Sequence, residues 1–163
     1  MNNVAFKTAL VLAMMSGLVA CNSSSDKPNE APQLVSTSFV TETDEAIADK
    51  LVASDPENDR LIFSLVGDAQ AGMVTVQGDG QFLYTPASEF TGDDSFAVAI
   101  TDGKNVVQAT VTIDVQVAVV SFLDYSRSAF AQDTDATPLS ANGREFTMDA
   151  MAEADYADLL QGL

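Results

Sequence analysis

The run SFAVAITDGKNVVQATVTIDVQV, from Ser95 to Val117, decides the fold. Phe96, Val98 and Ile100 alternate with smaller or polar residues, and Val107, Ala109, Val111, Ile113, Val115 and Val117 recur at every second position further on. A period of two sets such residues on one face of a strand, and that face has to be covered. Asp102-Gly103 turns the chain between the two patterns, because Asp bonds its own backbone locally and Gly tolerates positive φ. The run therefore predicts strands over 95–101 and 106–117, each with one buried face.

The same pattern extends upstream. A first strand is expected over 33–40, and a second over 46–53 with Ile47, Leu51 and Val52 apolar. Asp55-Pro56-Glu57-Asn58-Asp59 reads as a turn, since Pro fixes φ and Asn and Asp accept tight backbone. Residues 60–66 place Leu61, Phe63 and Leu65 on one face, and 72–76 place Val74 and Val76 inward. Gly78-Asp79-Gly80 is a hairpin turn, followed by 81–85 with Phe82 and Tyr84 on one face. About seven strands at this spacing predict an all-β Greek-key sandwich over 33–117. With no Trp, its core has to rest on Val, Ile, Leu, Ala and a few Phe.

The first twenty-one residues, MNNVAFKTALVLAMMSGLVAC, are of another kind. Lys7 gives a positive start, and the apolar run Ala9 to Met15 is too short for a permanent membrane span, so residues 1–20 read as an export signal. Leu18-Val19-Ala20-Cys21 resembles the bacterial lipobox. That resemblance implies a diacylglyceryl group on the Cys21 thiol, cleavage before Cys21 and acylation of the new amino group. Several acyl chains together give stable anchoring to a membrane. In the same families an Asp after the Cys often retains the protein at the inner membrane; Asn22 instead implies the outer membrane of a Gram-negative cell envelope. Residues 22–32, NSSSDKPNEAP, follow the lipidated Cys as a polar, Pro-containing linker.

Beyond Val117 the alternation fades. Phe122 to Phe130 suits a short helix, Asp133 to Gly143 is polar and turn-rich, and Met148 to Leu160 holds good helix formers with Met151, Ala154 and Leu159 roughly on one side. Residues 118–163 are thus expected as a partly helical or disordered acidic tail. If that tail docks on a partner, Tyr156, Leu159 and Leu160 are the expected contacts.

Charge and composition exclude several functions. The net charge is −17, and Lys7 is the one charged residue ahead of Cys21. Such acidity opposes binding to nucleic acid, which needs clustered Lys and Arg, and docking on anionic lipid through a basic face. The absence of His removes Ser/His/Asp and Cys/His catalysis and His-bound zinc. One Cys allows no disulfide within the chain. Carboxylates are plentiful, but none is set apart as a catalytic pair, which would need a cleft with two inward carboxylates ~5–10 Å apart. A non-enzymatic role is expected.

Ordered motifs over residues 29–117 resemble a bacterial cadherin-like repeat of the tandem-95 or Ig-like type. They are Asn29-Glu30-Ala31-Pro32, Thr43-Asp44-Glu45, Ala53-Ser54-Asp55-Pro56-Glu57-Asn58-Asp59-Arg60-Leu61, Gly72-Met73-Val74, Asp79-Gly80-Gln81-Phe82-Leu83-Tyr84-Thr85-Pro86, Phe90-Thr91-Gly92-Asp93-Asp94-Ser95-Phe96 and Asp102-Gly103. Such repeats usually occur in arrays, whereas one copy is present here. Asp55, Glu57, Asp59 and Asp102, with Asn29 and Glu30, are either plain turn acids that shape their loops or oxygen donors to calcium. The resemblance implies the second, since Asp55, Glu57 and Asp102 match the family's calcium positions at the N-terminal pole, where they meet a linker Asn. Carboxylates, amides and carbonyls are the oxygens calcium takes. Pro28 stands where the family pattern has a further ligand Asn. The function implied is a lipid-anchored binding or adhesion module with a protein or polysaccharide ligand. The alternative is an accessory subunit of an envelope complex, docking through the acidic tail.

Overall fold

The computed structural model describes residues 27–150 and 152–160. The leader, the lipobox with Cys21, and Met151 lie outside the described residues. Between Gln33 and Gln116 the strands are β1 (Gln33–Leu34), β2 (Ser38–Glu42), β3 (Ile47–Lys50), β4 (Ala53–Ser54), β5 (Ile62–Gly67), β6 (Gly72–Val76), β7 (Gln81–Pro86), β8 (Gly92–Thr101) and β9 (Val106–Gln116). β1 and β4 are two-residue pieces that pair with each other. The other seven form a four-stranded sheet, in the order β2-β9-β8-β5, and a three-stranded sheet, β3-β7-β6. This is the expected all-β sandwich.

Alternation explains which side chains meet between the sheets. From β8 come Phe96, Val98 and Ile100, from β9 Val111, Ile113 and Val115, and from β7 Phe82 and Tyr84; Leu51, Phe63 and Val74 complete the buried cluster. Phe82 ties the sheets together, with its ring 4.8 Å from Phe39 and 5.7 Å from Phe96. Each such side chain contributes about 1.5–3 kcal/mol through burial. β8 and β9 pair antiparallel from Gly92↔Val115 to Thr101↔Val106, while β2 lies parallel to β9 from Ser38↔Thr112 to Glu42↔Gln116.

Three expectations shift. The strand expected over 33–40 breaks at Val35–Thr37, where the amides of Val35 and Ser36 both donate to the Val52 carbonyl; the chain then leaves the β1–β4 pair and enters the four-stranded sheet as β2. The strand expected over 46–53 breaks at Leu51, whose amide donates to Gly80 O. Val117 does not continue the inward face of β9: it is exposed, and the next residue, Ala118, is buried and starts a new strand.

The tail contains more order than its composition suggests. β10 (Ala118–Ser121) leads into helix α1 (Phe122–Phe130), and β11 (Arg144–Thr147) returns parallel to β10. Ser121 caps α1 by accepting from the Asp124 amide, the usual task of an N-cap hydroxyl. Phe146 on β11 packs edge-on against Tyr125 at 4.8 Å and Phe122 at 6.0 Å, covering the sheet with the helix. A 3-10 helix (Glu153–Tyr156) and α2 (Ala157–Leu160) follow.

This C-terminal unit is seated on the pole of the sandwich where β2 and β9 end. The Ala118 amide donates to Gly143 O at 3.1 Å. Gly143 has φ of 67°, and a Cβ there would lie 2.7 Å from the Thr43 side chain, so glycine is needed for both its conformation and its size. Arg144 pairs with Asp44 at 2.8 Å, and the Asn142 amide donates to Glu89 at 2.8 Å.

Candidate functional site

The opposite pole gathers most of the residues singled out in the sequence. Asp55 builds the 55–59 turn: its Oδ1 accepts from the amides of Glu57 and Asp59, both at 3.0 Å, and its carbonyl accepts from Asn58 at 3.2 Å. Asn58 takes φ of 58°, a conformation Asn tolerates better than most residues. Asp102 organises the β8–β9 turn in the same way, its Oδ1 accepting from the amides of Lys104 at 2.7 Å and Asn105 at 2.6 Å. Its Oδ2 accepts from Asn105 Nδ2 at 3.1 Å and Asn29 Nδ2 at 2.8 Å. The Asn105 amide holds Asp102 at about 2, against the cost of burial, with help from the Lys104 amide and the side chains of Asn105 and Asn29.

The segment leading into the sandwich is bound across this pole. Asn105 Nδ2 donates to the carbonyls of Asn29 at 3.4 Å and Glu30 at 3.2 Å, and the Glu30 amide donates to Glu57 at 3.2 Å. Lys104 Nζ donates to Asn29 Oδ1 at 2.9 Å and lies 3.9 Å from Asp59 Oδ2.

The residues do not fit the implied calcium shell. Asn29 and Asp102 meet, and Glu57 reaches Glu30, but among the described residues no three acidic side chains come together around a point that could hold a metal. Both Asp102 oxygens are directed at N–H groups, and Asn29 Oδ1 is given to an ammonium. Asp55 Oδ2 is buried with no hydrogen-bond partner. Asp55, Glu57, Asp59, Asp102 and Asn29 therefore act here as turn and clasp residues. Lys104 and Asn105, which the sequence reading passed over, complete the clasp.

A second polar group was also passed over. Asp94 is buried on β8, in register with the inward Phe96, Val98 and Ile100. Its Oδ1 accepts from the amides of Gln70 and Ser95, and its Oδ2 from the Ala71 amide and the Tyr84 hydroxyl, all within 2.8–2.9 Å. Burial raises the carboxyl, but these four donors outweigh it and hold Asp94 below the ordinary carboxylate range. Burial, together with the Asp94 carboxylate, pushes the Tyr84 phenol above its usual range. The signal in the sequence is an acid in phase with an apolar strand face, which has to find partners if it is buried.

Of the expected partner contacts at the C-terminus, Tyr156 is engaged within the chain. The Tyr156 hydroxyl bonds Ser126 at 2.7 Å, and its ring lies edge-on to Phe130 at 6.3 Å. Arg127 forks onto the Asp158 carboxylate and also donates to the Asp155 carbonyl at 2.7 Å. Leu159 and Leu160 lie in α2. Among the described residues no helix is long and apolar enough to cross a membrane.

Two facing sheets of seven strands, with a polar clasp at one pole, define an immunoglobulin-like sandwich module. The family model described as "Bacterial Ig domain" matches residues 29–114, and the chain belongs to that family. Protein GAMETE EXPRESSED 2 of Arabidopsis thaliana is 32% identical over 102 residues, covering 61% of this chain and 10% of that protein. The chain thus spans about a tenth of that relative's length. Among solved structures, human protocadherin-24 EC1-2 is 21% identical with a TM-score of 0.46, over 57% of this chain and 52% of that one. An endo-fucoidan hydrolase from glycoside hydrolase family 107 is 16% identical with a TM-score of 0.40, over 56% of this chain and 16% of that one.

Proposed function

We propose that the protein is a non-enzymatic binding or adhesion module held at the cell envelope by lipid on Cys21, with a protein or polysaccharide as its ligand. The observation that carries this reading is the juxtaposition of an Ig-family sandwich with the lipobox Leu18-Val19-Ala20-Cys21, joined by the short polar segment 22–32. The sandwich interior is filled with apolar side chains, which leaves edges and loops for recognition. Its outer strands carry exposed apolar residues, with Met73 on β6 76% exposed and Val66 on β5 48% exposed. Asn22 supports the outer membrane as the location.

The test is the intact mass of protein extracted from membranes, beside the Cys21→Ser variant. The expected result is a mass that starts at Cys21 and includes acyl chains, lost in the variant. An unmodified mass removes the anchor and reduces the reading to a secreted sandwich.

The second reading, docking in an envelope complex through residues 118–163, is favoured by the apolar surface of that unit, where Val119 is 61% and Phe130 73% exposed. Deleting 118–163 separates the two. Partner capture that survives deletion belongs to the sandwich; capture that is lost belongs to the C-terminal unit.

A further inference from the structure

We infer that Lys104 is the resident cation of the N-terminal pole and does there, from within the chain, what a divalent ion would otherwise do: it ties the leading segment to the 55–59 turn. The ammonium bridges Asn29 Oδ1 at 2.9 Å and Asp59 Oδ2 at 3.9 Å. Asn29 belongs to the leading segment and Asp59 to the turn, so one charge joins two parts of the chain that no strand pairing connects. Asn29 is gripped at both ends of its amide, because its Nδ2 donates to Asp102 at 2.8 Å.

The placement of Lys104 follows from the turn that carries it. Gly103 takes φ of 94°, and Asp102 Oδ1 accepts from the next two amides, so residue 104 stands at the tip of the β8–β9 turn, beside the leading segment. A lysine at that tip meets the acids of the pole with a flexible stem and a point charge. A free calcium ion would need six to eight oxygens, including those that Asp102 and Asn29 have already committed. A tethered ammonium needs no such shell and loses no translational freedom on arrival. The pole is therefore closed at any calcium level, and its closure is weakened by salt, because the ion pair is exposed.

Two measurements on the full chain test this. In the first, thermal unfolding is compared in EGTA and in calcium at ~10 mM, about ten times the weakest dissociation constants of extracellular calcium modules. An ion bound at that ratio would raise Tm by roughly 5 °C. The expected change is under ~2 °C, and a larger rise overturns the inference. In the second, hydrogen exchange at the Glu30 amide is followed in the wild type, Lys104→Gln and Lys104→Arg at low and high salt. Lys104 is exposed, so both variants keep the core intact. Lys104→Gln is expected to speed exchange severalfold and to abolish its salt dependence, while Lys104→Arg keeps the slow exchange and its salt dependence. Equal exchange in wild type and Lys104→Gln overturns the assignment even if calcium has no effect.

Discussion

Asp94 shows how one carboxylate can hold a loop, a strand and an aromatic ring in place. Four donors converge on it, two of them amides of the loop between β5 and β6. Tyr84→Phe removes one donor and leaves the others, so it is expected to cost about 1–2 kcal/mol in chemical unfolding. Asp94→Asn costs more, about 3 kcal/mol, since the new NH2 group faces a donor that needs an acceptor. The acid dependence of stability follows from the depressed carboxyls. A group whose folded pKa lies below its unfolded value of 3.8 contributes fully above 3.8, and that contribution is lost as pH falls through the folded value. Asp94 and Asp102 both behave this way, Asp102 down to about 2. Tm is therefore expected to fall as pH drops from ~5 toward ~2, and the fall becomes shallower in Asp94→Asn and in Asp102→Asn. A pH profile unchanged by either substitution would refute the assignment.

At the scale of elements, turns matter as much as strands. Gly80 takes φ of 89°, and a Cβ there would lie 2.9 Å from the Leu51 carbonyl oxygen and 3.1 Å from the Phe63 ring. Gly80→Ala is expected to destabilise by about 2 kcal/mol or more, measured by urea unfolding, through both strain and the clash. The strands were legible because Phe82 and Tyr84, Phe96, Val98 and Ile100, and Val111, Ile113 and Val115 keep a strict period of two. β11 was not legible: Arg144-Glu145-Phe146-Thr147 offers one apolar residue, and its strand form comes from pairing with β10 and from Phe146 under α1. The polar clasp was half legible. Its acids were visible in turn motifs, but the side-chain donors that meet Asp102 and Asp59 come from Asn29, Lys104 and Asn105, and only the closed fold brings Asn29 to residues 73 to 76 positions away.

Over the whole molecule, the sandwich carries a clasp at one pole and a folded unit at the other. The Asp44 carboxylate joins that unit to the body, since Oδ2 pairs with Arg144 and Oδ1 accepts from the Glu89 amide, while Ser140 and Asn142 hold Glu89 below its usual range. Asp44→Ala is expected to speed hydrogen exchange in 142–147 while leaving β8 and β9 protected; loss of protection throughout would mean that the two parts unfold as one. The parallel pairing of β2 with β9 has a mechanical consequence. β2 is the first strand of the four-stranded sheet along the chain, and β9, its last, runs on into Ala118 at the far pole. Tension applied between the two ends draws these strands past each other along their length. It loads the rungs from Ser38↔Thr112 to Glu42↔Gln116 together rather than peeling them one at a time. Rupture under tension then depends on the height of a shear barrier, which sets a lifetime under load independently of equilibrium stability.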